Sequence, residues 1–171
     1  MAAANAAMNA ARAAEAEQYV AQDWRMLNDS LNAATAMKTE QDGKFALFRS
    51  YGSSKEMFVR VEGMANQVVT KAQAEKERVK NEVMAMIGQA QMMMDSTNAA
   101  FEKAPKGKDN KADLELIKND LMGITAAFAE AQADFDGGRY LVAKGKFSSL
   151  MQKMQSIMGE IDMAVAKKKG K

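Results

Sequence analysis

Apolar residues recur at spacings of three and four along most of this chain, which is the period of amphipathic α-helices. The pattern is cleanest after residue 78, where Pro105 and Asp136-Gly137-Gly138 separate three apolar stripes. The stripes comprise Val79, Val83, Met86, Ile87, Ala90, Met94 and Phe101, then Ile117, Leu121, Ile124, Phe128, Ala131 and Phe135, then Ala143, Phe147, Leu150, Met154, Ile157 and Ile161. They predict a C-terminal three-helix unit over residues 71–171, with its last two helices at about 112–135 and 139–167.

Turn-forming residues divide the chain into helices. Gln41-Asp42-Gly43 forms a break in the N-terminal part, and Pro105, the single proline, marks the strongest break of the chain. We therefore predict an N-terminal unit over residues 1–70, built from helices at about 5–17 and 21–39 and from the start of a long helix over 44–103. In this unit Trp24, Leu27, Leu31 and Ala34 are expected to face Ala46 or Leu47, Val59 or Val61, and Val68.

The predicted fold is all-α, an elongated antiparallel helical bundle in which two three-helix units share one long central helix. Residues 71–80 join the units and are mostly charged, so we expect this stretch to cross solvent. Gly52 with Ser53 and Ser54 lowers helix propensity by about 1 kcal/mol or more. The pattern therefore leaves open whether the long helix is continuous through Gly52.

A weak internal repeat relates the two glycine breaks. Asp42-Gly43-Lys44-Phe45 and Gly137-Gly138-Arg139-Tyr140 each place a small residue, a glycine, a basic residue and an aromatic before a helix. Glycine at such a position can adopt the left-handed conformation that ends a helix. Duplication of a helical hairpin explains the similarity, and so do two independent helix ends.

Composition narrows the possible chemistry. The chain has no Cys and no His, which removes thiol nucleophiles, thiolate zinc sites and the commonest general base. We therefore expect no enzymatic activity, no cofactor and no metal site. The 24 basic and 22 acidic residues are too balanced to predict nucleic-acid binding. No apolar run predicts a membrane span, and the first residues lack the basic and apolar segments of a signal peptide.

Methionine is unusually abundant, with 16 residues. Met fills irregular core gaps, but the consecutive Met92, Met93 and Met94 cannot all face one core. Thioethers also favour Cu(I). One hypothesis is accordingly a carrier of an apolar small molecule or Cu(I), with a pocket lined by Met86, Met93, Leu121, Met151, Met154 and Met158.

Aromatic residues cluster near the start of the predicted long helix. Small residues beside aromatics allow another backbone to approach, and aromatics with Met are typical of interface cores. We therefore predict that a protein or peptide partner binds at Phe45, Phe48, Tyr51, Gly52, Met57 and Phe58. The alternative is a bend packed by the N-terminal helices, with Tyr51 and Phe58 in that core.

The Ala-rich first helix, Gln18-Tyr19-Val20-Ala21, the glycine turn and the long Ala/Lys/Glu helix together resemble small bacterial envelope lipoproteins of a family without assigned function. The resemblance implies Ala-rich helical hairpins and a location in the bacterial envelope. This chain has Ala21-Gln22 where Ala-Pro is usual in that family, and it lacks the lipid-bearing Cys. Membrane anchoring is therefore not implied, and the many Met and Phe substitutions suggest an engineered variant of such a scaffold, expressed in the cytoplasm.

The sequence is compatible with three hypotheses of function. The preferred one is a non-enzymatic helical scaffold, natural or engineered, that binds a protein or peptide through a Met- and aromatic-rich helix face. The second is a structural spacer of the bacterial envelope, which predicts few exposed apolar side chains. The third is the Met-lined carrier. The sequence leaves the partner's identity and the oligomeric state open.

Overall fold

The structure, a computed structural model, describes residues 1–107 and 110–169, with side chains in the last helix described as far as Ala166. These residues form helices and connections, with no strand among them, so the all-α prediction is confirmed. The elements are α1 (Ala2–Ala13), α2 (Ala16–Tyr19), α3 (Ala21–Asp42), a 3-10 turn (Ala46–Phe48), α4 (Gly52–Lys103), α5 (Lys111–Asp136) and α6 (Tyr140–Lys169).

The chain divides into two compact units, Met1–Arg78 and Val79–Lys171, and the division falls inside α4. The core of the first unit is built from α1, Ala16 of α2, α3 and the first half of α4. Trp24, Leu27 and Ala34 are buried there as predicted. On α4, Val61 and Val68 are buried in this core and Val59 is exposed, so Val61 is the core residue of the predicted pair. Ala46 and Leu47 are both exposed, so the prediction that one of them faces this core is wrong.

The N-terminal helix differs from the prediction of one element over 5–17. α1 ends at Ala13, and Glu15 adopts a left-handed backbone conformation with φ 57° before α2 begins. Such a conformation costs a residue with a side chain about 1–2 kcal/mol. It turns Ala16 into the core, where that residue is fully buried, and Glu15 forms an ion pair with Lys76 of α4 (Oε1–Nζ 2.8 Å).

The predicted solvent-crossing stretch also needs correction. Ala72 is fully buried in the core of the first unit. Lys71 pairs with Asp23 of α3 (Nζ–Oδ1 2.8 Å), and Val79 is buried in the second unit. Lys71 and Lys76 reach neighbouring helices, while Glu75 pairs with Arg78 along α4. The charged stretch therefore lies against the protein, with the small residue Ala72 in the core.

The long helix begins at Gly52, not at Lys44 as predicted. Phe45 and Arg49 have extended backbones on either side of the 3-10 turn, and this ends regular α-helical hydrogen bonding across 43–51. Gly52 is therefore the first residue of α4, a position at which the helix-weakening effect of glycine is small. Phe45, Phe48 and Tyr51 belong to a connection and not to a helix face.

The second unit follows the three stripes closely. All six positions of the α6 stripe are buried, and Phe147 packs edge-on against Phe128 of α5 with ring centroids 5.4 Å apart. Ion pairs tie α6 to α5 through Lys153–Asp120 (2.9 Å) and to α4 through Lys144–Glu82 (2.8 Å). Asn110 occupies the N-cap position of α5, as predicted, but its side chain bonds backwards to Gly107 and Pro105.

A tight turn joins α5 to α6. Gly138 has φ +76°, the amide of Arg139 donates to the carbonyl of Asp134 (2.9 Å), and the amide of Gly138 donates to that of Phe135 (2.9 Å). This pair of bonds is the Schellman arrangement, which satisfies the last carbonyls of a helix. The predicted left-handed glycine is confirmed at Gly138. At Gly43 the prediction is wrong, because φ is −75° there and the residue remains helical.

Candidate functional site

Three large apolar side chains project from the connection between α3 and α4. Phe45, Leu47 and Phe48 are 69%, 82% and 74% exposed, although each belongs to a residue type that usually lies inside a protein. The Phe45 and Phe48 rings are tilted against one another with centroids 6.3 Å apart. We refer to these three residues as the apolar tip. The 3-10 turn Ala46–Phe48 carries the tip.

The backbone beneath the apolar tip is fastened by polar groups. Arg49 donates from Nε to the Lys44 carbonyl (2.9 Å) and from Nη2 to the Asp42 carbonyl (3.0 Å). The Ser50 amide donates to Oε1 of Gln41 (3.0 Å). The bond to Asp42 satisfies a carbonyl that the end of α3 leaves without a helical partner, and the other two satisfy the Lys44 carbonyl and the Ser50 amide in the connection. The connection is consequently held in one shape while its apolar side chains remain exposed.

The carboxylate of Asp42, the last residue of α3, interacts with two neighbouring side chains. Its Oδ2 faces Lys38 Nζ (2.5 Å), and its Oδ1 accepts a hydrogen bond from the Tyr51 hydroxyl (2.7 Å). The bond from Lys38, followed by that from Tyr51, lowers the pKa of Asp42. The same carboxylate raises the pKa of Lys38 and that of Tyr51, because it favours the protonated form of each. Near neutral pH the three groups form a fixed structural network.

The predicted partner-binding residues separate into two environments. Phe45, Phe48, Tyr51 and Gly52 are exposed. Phe58 lies in the core of the first unit at 5% exposure, and Met57 packs half-buried against that core. Phe58 therefore has the core position of the alternative hypothesis, and Tyr51 does not. The structure adds Leu47, which sequence reasoning considered only as a possible core residue.

A second candidate site is a groove of about 370 Å³ between α4 and α6 in the second unit. Three residues of the predicted Met-lined pocket, Met93, Met154 and Met158, line it. Met86, Leu121 and Met151 are not among the lining residues. Met92 joins the groove at its exposed edge, and the remaining lining residues are Gln89, Ser96, Thr97 and Gln155.

Helical spacing explains in part which methionines line the groove. Met154 and Met158 are four residues apart on α6 and so occupy one face on adjacent turns. On α4, the consecutive residues Met92 and Met93 both line the groove. Helical spacing indicated the α6 pair, whereas the contribution of Met92 depends on how α4 and α6 pack.

Two absences bear on the chemistry of the described residues. Across 1–107 and 110–169, no group of three or more acidic side chains is arranged to hold a metal ion. In the same residues no helix combines the length and apolar character needed to cross a membrane.

No protein-family model, curated protein or solved structure matched this chain. The resemblance to envelope lipoproteins therefore stays a prediction.

Proposed function

We propose that this chain is a non-enzymatic helical binding module that docks onto a protein partner through the apolar tip. Two three-helix bundles, joined through α4, form the supporting scaffold in this proposal. The observation that carries it is the exposure of Phe45, Leu47 and Phe48 on a connection whose backbone is tied to Arg49 and Gln41 by hydrogen bonds. Large apolar side chains presented together on a soluble surface usually mark a contact.

The energetics suit a docking element. Burying one Phe or Leu side chain completely contributes roughly 1.5–3 kcal/mol. Association costs at least about 4 kcal/mol in lost freedom of motion. Three fully buried tip residues would contribute roughly 4.5–9 kcal/mol, which offsets the low end of an association cost of about 4–15 kcal/mol, and hydrogen bonds that hold the backbone keep the further ordering cost low. Because a typical interface covers about 800 Å² on each partner, flanking polar residues would complete the contact.

The charges around the apolar tip favour a protein partner over a lipid surface. Peripheral membrane binding is strongest where several unpaired Lys or Arg residues adjoin the inserted side chains. Here Lys38 pairs with Asp42, Lys44 pairs with Glu40 (3.0 Å), and Arg49 is engaged with backbone carbonyls. A nearly neutral rim around an apolar centre is the usual arrangement of a protein interface.

The same exposure argues against the envelope-spacer hypothesis. A spacer whose task is length gains nothing from displaying Phe45 and Phe48, and such side chains promote aggregation when they have no partner. The spacer hypothesis predicts that these residues are buried, and they are not.

Site-specific photo-crosslinking tests the proposal. Leu47 is replaced by p-benzoylphenylalanine in the full chain, which is irradiated in the cells that produce it. The matched control carries the same group at Leu116, a 64% exposed residue of α5. We expect a discrete adduct between this chain and one other polypeptide at position 47 and not at position 116. F45S/F48S in the Leu47 variant should abolish the adduct while the helical circular dichroism is retained.

Three outcomes would overturn the proposal. The first is an adduct of equal intensity at both positions, and the second is an adduct that survives F45S/F48S. The third is tip-dependent flotation with phosphatidylcholine–phosphatidylglycerol vesicles in the absence of any protein adduct, which would assign the apolar tip to lipid.

A further inference from the structure

Four methionine residues line the groove between α4 and α6. Met92 and Met93 reach it from α4, and Met154 and Met158 reach it from α6. Met154 is fully buried and forms the floor, Met93 and Met158 are half-buried, and Met92 is 63% exposed at the edge. From this geometry we propose that the groove binds monovalent copper, Cu(I), through its methionine sulfurs.

The donor chemistry selects the ion. Thioether sulfur is a soft, neutral ligand that favours Cu(I) over hard or borderline divalent ions. The other side chains lining the groove, Gln89, Ser96, Thr97 and Gln155, carry no charge. The whole sequence contains no Cys or His, which are the ligands that zinc and Cu(II) sites ordinarily use. The groove is therefore suited to a singly charged soft cation.

The four methionines line the groove from two helices. Met154 and Met158 lie on successive turns of α6, and their Cβ atoms are about 5–6 Å apart in a regular helix. Met side chains have three rotatable bonds and adapt to irregular spaces. The Thr97 hydroxyl donates a hydrogen bond to the Met93 carbonyl within α4 (2.7 Å), so it is not directed at the methionine sulfurs.

Methionine does not titrate in the physiological range, unlike Cys and His. Binding by thioethers alone therefore releases no proton, and affinity should be nearly independent of pH between about 5 and 8, where Cys- and His-based sites weaken on acidification. Cu(I) is bound in the oxidation state in which it arrives, so the binding step transfers no electron. This site lies in the second unit and does not depend on the apolar tip.

Metal titration of the full chain tests the proposal. Ag(I) in chloride-free buffer serves as the redox-inert probe, and Cu(I) is supplied with ascorbate under nitrogen against a chromophoric competitor. The test variant is M93L/M158L, because Leu conserves the volume of Met and removes its sulfur. The control is M84L/M122L, two exposed methionines that lie outside the groove.

We expect one equivalent of Ag(I) to bind the parent chain and the control with equal affinity. Binding to M93L/M158L should be weaker by about tenfold or more, which corresponds to about 1.4 kcal/mol or more. In a spectrum of methyl-labelled methionine, the ion should shift the signals of Met92, Met93, Met154 and Met158 selectively.

Three results would contradict the proposal. Equal Ag(I) affinity in M93L/M158L and the parent would overturn the proposal, as would shifts spread over methionines outside the groove. Uptake of an apolar dye by both proteins without selective Ag(I) binding would also overturn it, because the groove would then be an apolar cavity to which sulfur contributes nothing.

Discussion

The α3–α4 and α5–α6 connections have related sequences and opposite structures. At α5–α6, Gly138 takes a positive φ, Arg139 folds back onto the carboxylate of Asp134 (Nε–Oδ1 2.7 Å), and Tyr140 starts the next helix against Phe135 (centroids 5.3 Å apart). At α3–α4, Gly43 stays helical and Phe45 points into solvent. The chain continues to Gly52 before the next helix begins.

The second glycine accounts for part of this contrast. Gly137 and Gly138 allow the helix to end and reverse within the span of one Schellman turn. Gly43 is followed by Lys44, which would be strained at positive φ, so the reversal is postponed to the extended residues around the 3-10 turn. A short turn leaves its aromatic residue packed within the hairpin, and a longer connection leaves its aromatics exposed. Similar four-residue patterns thus give a structural turn and a candidate binding site.

The largest expected effect concerns the aromatic residues of the two hairpins. Phe147→Ala removes a fully buried ring of α6 and should lower the free energy of unfolding by about 3–5 kcal/mol, because the cavity cannot be refilled. Phe48→Ala, at the apolar tip, should change it by less than about 0.5 kcal/mol. Urea unfolding followed by circular dichroism measures both. Equal losses would show that the tip is packed in solution.

The next prediction is that alanine substitutions at Gly138 and Gly43 change the free energy of unfolding in opposite directions. Gly138→Ala forces a side chain into positive φ and should destabilise the protein by about 1–2 kcal/mol, although space for the methyl group is free. Gly43→Ala should stabilise it by about 0.4–1 kcal/mol by restricting the unfolded chain. At Gly43 a Cβ atom would lie 3.6 Å from the Glu40 carbonyl oxygen, an ordinary contact. The same urea experiment decides the signs, and a loss in both variants would contradict the α-helical conformation of Gly43.

The smallest effect is the pH dependence of the two aspartates. Bonds from Lys146, first, and Arg139 lower the pKa of Asp134, whose side chain is 7% exposed. A lowered pKa in the folded state gives stability that is complete above the ordinary value of about 3.9 and is lost as pH falls through the folded value. D134N should therefore have a lower Tm than the parent at pH 6, and the two Tm values should converge towards pH 2.

D42N provides the matched control at the other connection. Asp42 is exposed, so solvent and salt screen its interaction with Lys38 and the Tm difference should be smaller and should shrink further in salt. If D134N keeps its full Tm deficit at pH 2, the contribution of Asp134 comes from packing and not from its charge.

Much of the fold could be predicted from periodicity. The predicted helices over 112–135 and 139–167 match α5 and α6 to within two residues, because one continuous stripe with clear breaks permits a single helical phase. Periodicity was less informative between residues 44 and 51. Phe45, Phe48 and Tyr51 have helical spacing, yet all three are exposed, and the segment around the 3-10 turn adopts a connection instead of a helix.

The candidate sites were predicted only in part, for the same reason. Aromatic content pointed to Phe45 and Phe48 but included Phe58, whose burial depends on α1 and α3 lying over that face of α4. The sequence placed Met93, Met154 and Met158 in one pocket together with Met86, Leu121 and Met151, and packing of α4 against α6 keeps the first three, adds Met92 and leaves out the others. Exposure and proximity between helices are properties of the packed chain, and a one-dimensional pattern reports them only where a single face is apolar.

The sequence by itself determined the helical class, the two C-terminal stripes and the exclusion of thiol and imidazole chemistry, because each follows from residue type and local spacing. The tertiary structure alone decided that the long helix starts at Gly52, that Leu47 joins two phenylalanines in solvent, and that four thioethers share one groove. Those outcomes depend on which side chains distant in sequence cover one another, and burial of apolar surface is settled only when the helices pack.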